Sequence, residues 1–201
     1  MSEKRIEGVV AAVLAGGSGS RIGGAKATAQ LDGRALITYP LEAALGALGQ
    51  VVVVAKADVE LPEQLGSGVE LWTEPDEPRH PVVGVIEALR RAEGRAVVVI
   101  ACDLPLLTSE TVALVASADA EGSVAVLASA AGRPQPLLAR YEPAALASFE
   151  KFDSDGPMTE QVLALMPTLV EVPPEASFNV NDLEQLKEVS RRLRSSSEQA
   201  E

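Results

Sequence analysis

Between Gly16 and Lys26 the chain reads GGSGSRIGGAK, five glycines and two cations in eleven residues. Glycine lets a backbone turn sharply and lets a ligand come close to it. The N–H groups of Gly16, Gly17, Ser18, Gly19 and Ser20, together with Arg21 and Lys26, would suit a triphosphate. The plainer alternative is a strand-to-helix turn, which commonly carries one or two glycines. A second chemical group stands 77 residues further on, in Cys102-Asp103-Leu104-Pro105. A hard divalent cation takes carboxylate oxygen and bridges phosphate oxygens, so Asp103 is the candidate ligand for it. Its alternative role is capping a turn before the next helix, although Thr108 or Ser109 can do that themselves. Near the C-terminus Asn179 and Asn181 alternate around Val180, so on an extended segment both face one way.

These residues need a frame, and apolar runs supply one. Val9 to Leu14 reads as a strand buried on both faces, as in a parallel sheet, Val51 to Ala55 as a second buried strand, Val69 to Thr73 as a third strand and Ala96 to Ile100, the most apolar run, as a fourth. Helical spacing separates them: Ala35 to Leu48 with Pro40 in the first turn, a short helical piece at Pro62 to Gly66, and Val82 to Glu93 closed by Gly94. That rhythm predicts parallel pairing through crossovers. Asp103 then lies past the C-terminal edge of a central strand, where open α/β sheets bind ligands. Two more strands, Ser123 to Ser129 and Pro134 to Tyr141, flank a hairpin-like turn. Helices at Ala144 to Phe152 and Met158 to Met166 precede a last strand, Thr168 to Val172, and a helix from Leu183 to Leu193. The expected organisation is one domain over 1–201, ordered from about 7 to 194, with a polar tail at 195–201. The segment Glu74 to Gly84 holds three prolines and the only histidine, His80, which reads as an exposed or capping residue rather than a base.

Two common nucleotide signatures are excluded. Lys26 lies between alanines, not in Gly-Lys-Ser/Thr, and a dinucleotide fingerprint starting at Gly17 would need glycine where Ile22 stands. What Leu14-Ala15-Gly16-Gly17 through Arg21, Gly23 and Lys26 resembles is the pattern L-A-G-G-x-S/G-x-R-M/I-G-x-x-K. It is the signature of the MobA-like nucleotidyltransferases, the family of molybdenum cofactor guanylyltransferase. Three further stretches match in order. Cys102-Asp103-Leu104-Pro105 resembles the family's metal motif, Arg133-Pro134-Gln135-Pro136-Leu137 its acceptor-side motif, and Phe178 to Asp182 the stretch whose polar residues reach metal or phosphates. Pro81 and Gly84 keep their places in the segment bordering the base, and the matching acid is Glu74 or Asp76. Departures stand at Ala25, where Asp is usual, at His80 for glycine and at Val82-Val83 for Leu-Ala.

The resemblance implies a three-layer α/β/α, Rossmann-like fold with a mostly parallel sheet. It implies transfer of GMP from GTP to the terminal phosphate of molybdopterin, releasing pyrophosphate. Arg21, Lys26 and Asp103 would carry the reaction, Mg2+ would sit on Asp103 and Asn181, and Arg133, Gln135 and Asn179 would meet the acceptor. Gly16, lacking a Cβ, would let the backbone approach a purine, favouring GTP over CTP. Transient contact with proteins that mature molybdoenzymes is a further implication. Alternatives are transfer of another nucleotide, such as a cytidylyl group, to a phosphorylated small molecule, or a non-catalytic nucleotide-binding module that delivers a cofactor.

Composition narrows the partners. A net charge of −12 argues against nucleic acid or an anionic membrane, both of which want a basic face. One cysteine, Cys102, forms no internal disulfide and suits a reducing cytoplasm. No apolar run reaches membrane-spanning length.

Overall fold

The computed structural model describes residues 5–16, 26–153 and 155–198. In chain order its elements are β1 (Ile6–Leu14), a two-stranded hairpin of β2 (Gln30–Leu31) and β3 (Arg34–Ala35), α1 (Thr38–Ala47), β4 (Leu48–Ala55), β5 (Val69–Thr73), α2 (Pro81–Arg91), β6 (Ala96–Ala101), α3 (Ser109–Ser117), β7 (Ala125–Ala130), β8 (Arg133–Tyr141), α4 (Leu146–Phe149), α5 (Met158–Leu163), β9 (Thr168–Val172) and α6 (Leu183–Glu198). Seven strands form one sheet in the order β5-β4-β1-β6-β8-β7-β9. All pairs are parallel except the two that involve β8, which runs against both β6 and β7.

Alternation along the strands splits the core into two layers. Ala11, Val13, Val51, Val53, Val98 and Ile100 face the side covered by α1 and α3. Val10, Ala12, Val52, Val54, Val97 and Val99 face the other side, against α2, α4 and α5. Runs of valine and alanine without alternating polarity are what burial on both faces demands. The result is the three-layer, mostly parallel α/β/α arrangement. A smaller cluster of Leu31, Leu36, Val180 and Val189 seats α6 on the β2–β3 hairpin. Among the described residues no helix is long and apolar enough to cross a membrane.

The chain winds outward from β1 through β4 to β5, then returns to place β6 on the other side of β1. The C-terminal ends of β1 and β6 therefore border the point where the strand order reverses, the place where such sheets leave a crevice.

Several elements differ from their sequence expectation. No helix forms at 62–66; five residues between a proline and Gly66, which holds φ +110°, are too few to nucleate one. The helix expected over 144–152 shortens to a 3-10 turn and the four-residue α4, while Phe149 is pinned edge-on to Tyr141 at 4.8 Å between centroids. Ala35 belongs to β3 rather than to a helix, and α1 begins at Thr38 with Pro40 in its first turn, where its missing N–H is not needed. At the far end α6 continues to Glu198, so 195–198 extend the helix instead of forming part of a separate tail.

Candidate active site

The end of β6 delivers Asp103 to the crevice. Its backbone carbonyl accepts from the Val180 N–H at 3.0 Å, which draws the 178–182 segment alongside. Val180 is buried, so Asn179 and Asn181 both point outward, as their alternation predicts. Asp182 caps α6 by accepting from the Gln185 N–H at 2.8 Å, and Gln185 Oε1 in turn accepts from the Asn181 N–H at 2.7 Å. This reciprocal cap holds the Asn181 backbone in register with the helix.

Lys26 closes the cluster. Its Nζ donates to Asp103 Oδ2 at 2.7 Å and to Asn181 Oδ1 at 2.6 Å. Asp103 is 6% exposed, and its other oxygen, Oδ1, is buried with no hydrogen-bond partner among the described residues. Leaving a buried carboxylate oxygen unpaired costs stability, and such a group in a native fold calls for an explanation. Capping is not that explanation, because Thr108 caps α3 with its own hydroxyl, accepting from the Thr111 N–H at 3.3 Å. A cation fits: an orphaned carboxylate oxygen beside an amide oxygen is a hard-oxygen donor set. Among the described residues no group of three or more His, Cys, Asp or Glu gathers as a metal site, so the remaining ligands of such an ion would come from phosphate and water. Neighbouring Cys102 is buried, and burial pushes its thiol up to about 12, so it is a core residue and no nucleophile.

A second cluster lies at the end of β5. Glu74 is 7% exposed, and its carboxylate sits 3.5 Å from the buried ammonium of Lys56, the residue that follows β4. Desolvation raises the Glu74 pKa, with Lys56 pulling against it. A Cβ on Gly84 would lie 2.8 Å from Glu74 Oε2, and one on Gly16 would lie 3.7 Å from Oε1. The carboxylate thus stands between the start of the glycine loop and the first turn of α2. His80 caps that helix, its Nδ1 accepting from the Val82 N–H at 3.2 Å. Between β5 and β6 lie three strand spacings, roughly 14 Å. The two clusters therefore face each other across the ends of β4 and β1, where Leu14, Ala15 and Gly16 emerge.

Of the residues singled out by sequence, the fold brings Lys26, Asp103 and Asn181 into direct contact, and Leu14, Gly16, Glu74 and Gly84 around the second cluster. Glu74, not Asp76, is the acid turned into the crevice. Gly17, Ser18, Gly19, Ser20 and Arg21 lie outside the described residues. Arg133 and Gln135 open β8, and the pairing of Ile100 with Leu138 carries them past the same sheet edge as Asp103. Gln135 Nε2 donates to the Arg133 carbonyl at 3.0 Å. Among the described residues no hydrogen bond joins either of them to Asn179. Lys56 escaped the sequence reading; its signal was a lone charge closing a run of four valines and an alanine.

Comparisons with known proteins point to one family. Residues 11–168 match the family described as the MobA-like NTP transferase domain. A Bacillus cereus protein named "Probable molybdenum cofactor guanylyltransferase" is 31% identical over 133 residues, which span 64% of this chain and 66% of that relative, just under two thirds of its length. The crystal structure of molybdopterin-guanine dinucleotide biosynthesis protein A from Archaeoglobus fulgidus superposes with a TM-score of 0.72 at 25% identity, covering 92% of this chain and 99% of the other. A nucleotidyl transferase from Methanothermobacter shares the fold at 19% identity, with a TM-score of 0.74 over 93% and 98% of the two chains. With a crevice at the sheet's switch point and most of its length inside that family's pattern, the chain belongs to the MobA-like NTP transferases.

Proposed function

We propose that the chain transfers GMP from GTP to the terminal phosphate of molybdopterin and releases pyrophosphate. The observation that carries this reading is the contact of Lys26 with Asp103 and Asn181 beside an orphaned carboxylate oxygen. In the reaction an acceptor phosphate oxygen forms a bond to the α-phosphorus as the bond from that phosphorus to the β-phosphate oxygen breaks. The acceptor is already an anion at neutral pH, so no side chain need remove a proton. Positioning and charge neutralisation are what the protein has to contribute.

Lys26 is tied up by Asp103 and Asn181 until an anion competes for it. An arriving triphosphate offers its ammonium phosphate oxygens in exchange, and Arg21 with the amides of Gly16, Gly17, Ser18, Gly19 and Ser20 would hold the leaving pyrophosphate. Asp103 and Asn181 would hold Mg2+, whose chemistry there is to neutralise and orient phosphate oxygens. At the other end Leu14, Ala15, Gly16, Glu74 and Gly84 would enclose the base. Arg133, Gln135 and Asn179, at the same sheet edge, would meet the acceptor. The cytoplasm suits the buried free thiol of Cys102, and handover to proteins that mature molybdoenzymes is the natural fate of the product.

Calorimetric titration with GTP, CTP and ATP in Mg2+, followed by pyrophosphate release with and without molybdopterin, tests the proposal. GTP should bind tightest, and release should require both Mg2+ and the acceptor. Tighter binding of CTP or ATP would leave only the family's wider chemistry standing.

A further inference from the structure

Lys56 is a charge where the fold has little need of one. It is 6% exposed, and its Nζ donates to the Pro75 carbonyl at 2.5 Å and the Pro78 carbonyl at 3.4 Å, with Glu74 Oε1 at 3.5 Å. All three acceptors belong to the loop from β5 to α2. Holding two carbonyls takes only a neutral donor; a buried ammonium is worth its desolvation only if it meets an anion. That anion is Glu74, whose backbone is fixed independently, its N–H donating to the Ala55 carbonyl at 2.9 Å. The carboxylate is confined between Gly16 and Gly84, and it has room because Gly84 carries no Cβ, which would fall 2.8 Å from Oε2.

Resting on the reading above, in which this crevice takes the base, we propose that Lys56 is the positioning residue for base selection. It keeps Glu74 in its ionised form, in which both oxygens only accept, and fixes them toward the crevice. The base edge complementary to such a carboxylate has two adjacent N–H donors, as the N1–H and N2–H of guanine are. Without Lys56, burial would drive a proton onto Glu74. One acceptor would become a donor, and the edge that distinguishes guanine would lose its partner.

The experiment compares GTP with ITP, which lacks only the 2-amino group, by calorimetry on the full chain with Mg2+. Wild-type protein should prefer GTP, and Lys56→Met should shrink the GTP-to-ITP affinity ratio on the order of tenfold, the loss expected for one charge-assisted hydrogen bond. Affinity for ITP should change far less. A purely structural role, anchoring the loop through the proline carbonyls, would weaken both nucleotides alike and leave the ratio unchanged. That result would overturn the role of Lys56 while leaving the base site intact. Should Lys56→Met not fold, Lys56→Gln keeps a neutral donor for the carbonyls, removes only the charge, and is read the same way. A wild type with no preference between GTP and ITP or CTP would instead remove the base site, and the proposal with it.

Discussion

A buried carboxylate with one oxygen on a lysine and the other without a partner among the described residues weakens a fold and serves a ligand. Asp103→Ala tests both halves of that statement. The Val180 N–H bonds to the backbone carbonyl of residue 103, so the 178–182 segment keeps its anchor when the side chain goes. Thermal stability should therefore stay level or rise slightly, while turnover falls on the order of a hundredfold or more, as for other single electrostatic contacts made to a transition state. Melting temperature and pyrophosphate release on the same preparation check it; a variant that melts early, or turns over normally at saturating Mg2+, would contradict the assignment. At this scale the sequence is readable where a motif names the residue, as with Lys26, Asp103, Asn181 and the cap at Asp182. It is silent where meaning comes only from a neighbour distant in the chain. Nothing local to Lys56 foretells that Glu74, 18 positions on, will share its pocket.

The same division holds among elements. Strands buried on both faces announce themselves by unbroken Val and Ala, so while β5 and β9 stand at the two edges of the sheet with Glu70 and Glu171 exposed, β1, β4 and β6 are legible in composition alone. The antiparallel entry of β8 between β6 and β7 is not, because direction depends on pairing and not on the residues paired. Nor do short elements show: β2 and β3 hold two residues each and persist because Leu31 and Leu36 pack under α6. Close helix contact is likewise hidden in a single glycine. In α1 a Cβ on Gly46 would fall 2.2 Å from Ser109 Oγ and 3.0 Å from Ser109 Cβ, at the start of α3. Helix propensity alone favours alanine there by about 1 kcal/mol, whereas overpacking costs about 1–3 kcal/mol. Because Ser109 Cβ itself is in the way, overpacking should win and Gly46→Ala should lower the melting temperature by several degrees. Adding Ser109→Ala, which removes the hydroxyl but not the Cβ, should restore part of the loss. An increase in melting temperature for the single variant would show that α1 and α3 are farther apart than described.

Over the whole molecule, 29 acidic residues against 17 basic ones leave a net charge of −12 at neutral pH. Self-repulsion of that size loosens the compact state and eases as carboxylates take up protons. Glu74 adds to the trend: burial raises its pKa above the ordinary 4.5, so the folded chain keeps this proton at pH values where the unfolded chain has lost it. In that window the native state binds more protons, and stability falls as pH rises, the penalty being absent below 4.5 and complete above the raised value. Asp32, Asp58 and Glu188 act oppositely. Hydrogen bonds from Arg194, Arg79 and Arg192 hold their pKa values below the ordinary range, and the stability they contribute is lost as pH drops through those lowered values. One window opens above the usual carboxylate pKa and the other below it, so maximal stability belongs between them. Melting temperature followed by calorimetry at constant ionic strength should peak on the acid side of neutrality, near the ordinary carboxylate pKa where the two windows meet. Glu74→Gln should flatten the decline just above that maximum, since an amide carries no proton to retain. A melting temperature that climbs without a maximum to pH 8, or a Glu74→Gln variant with the wild-type slope, would mean that the buried carboxylate does not govern the alkaline limb.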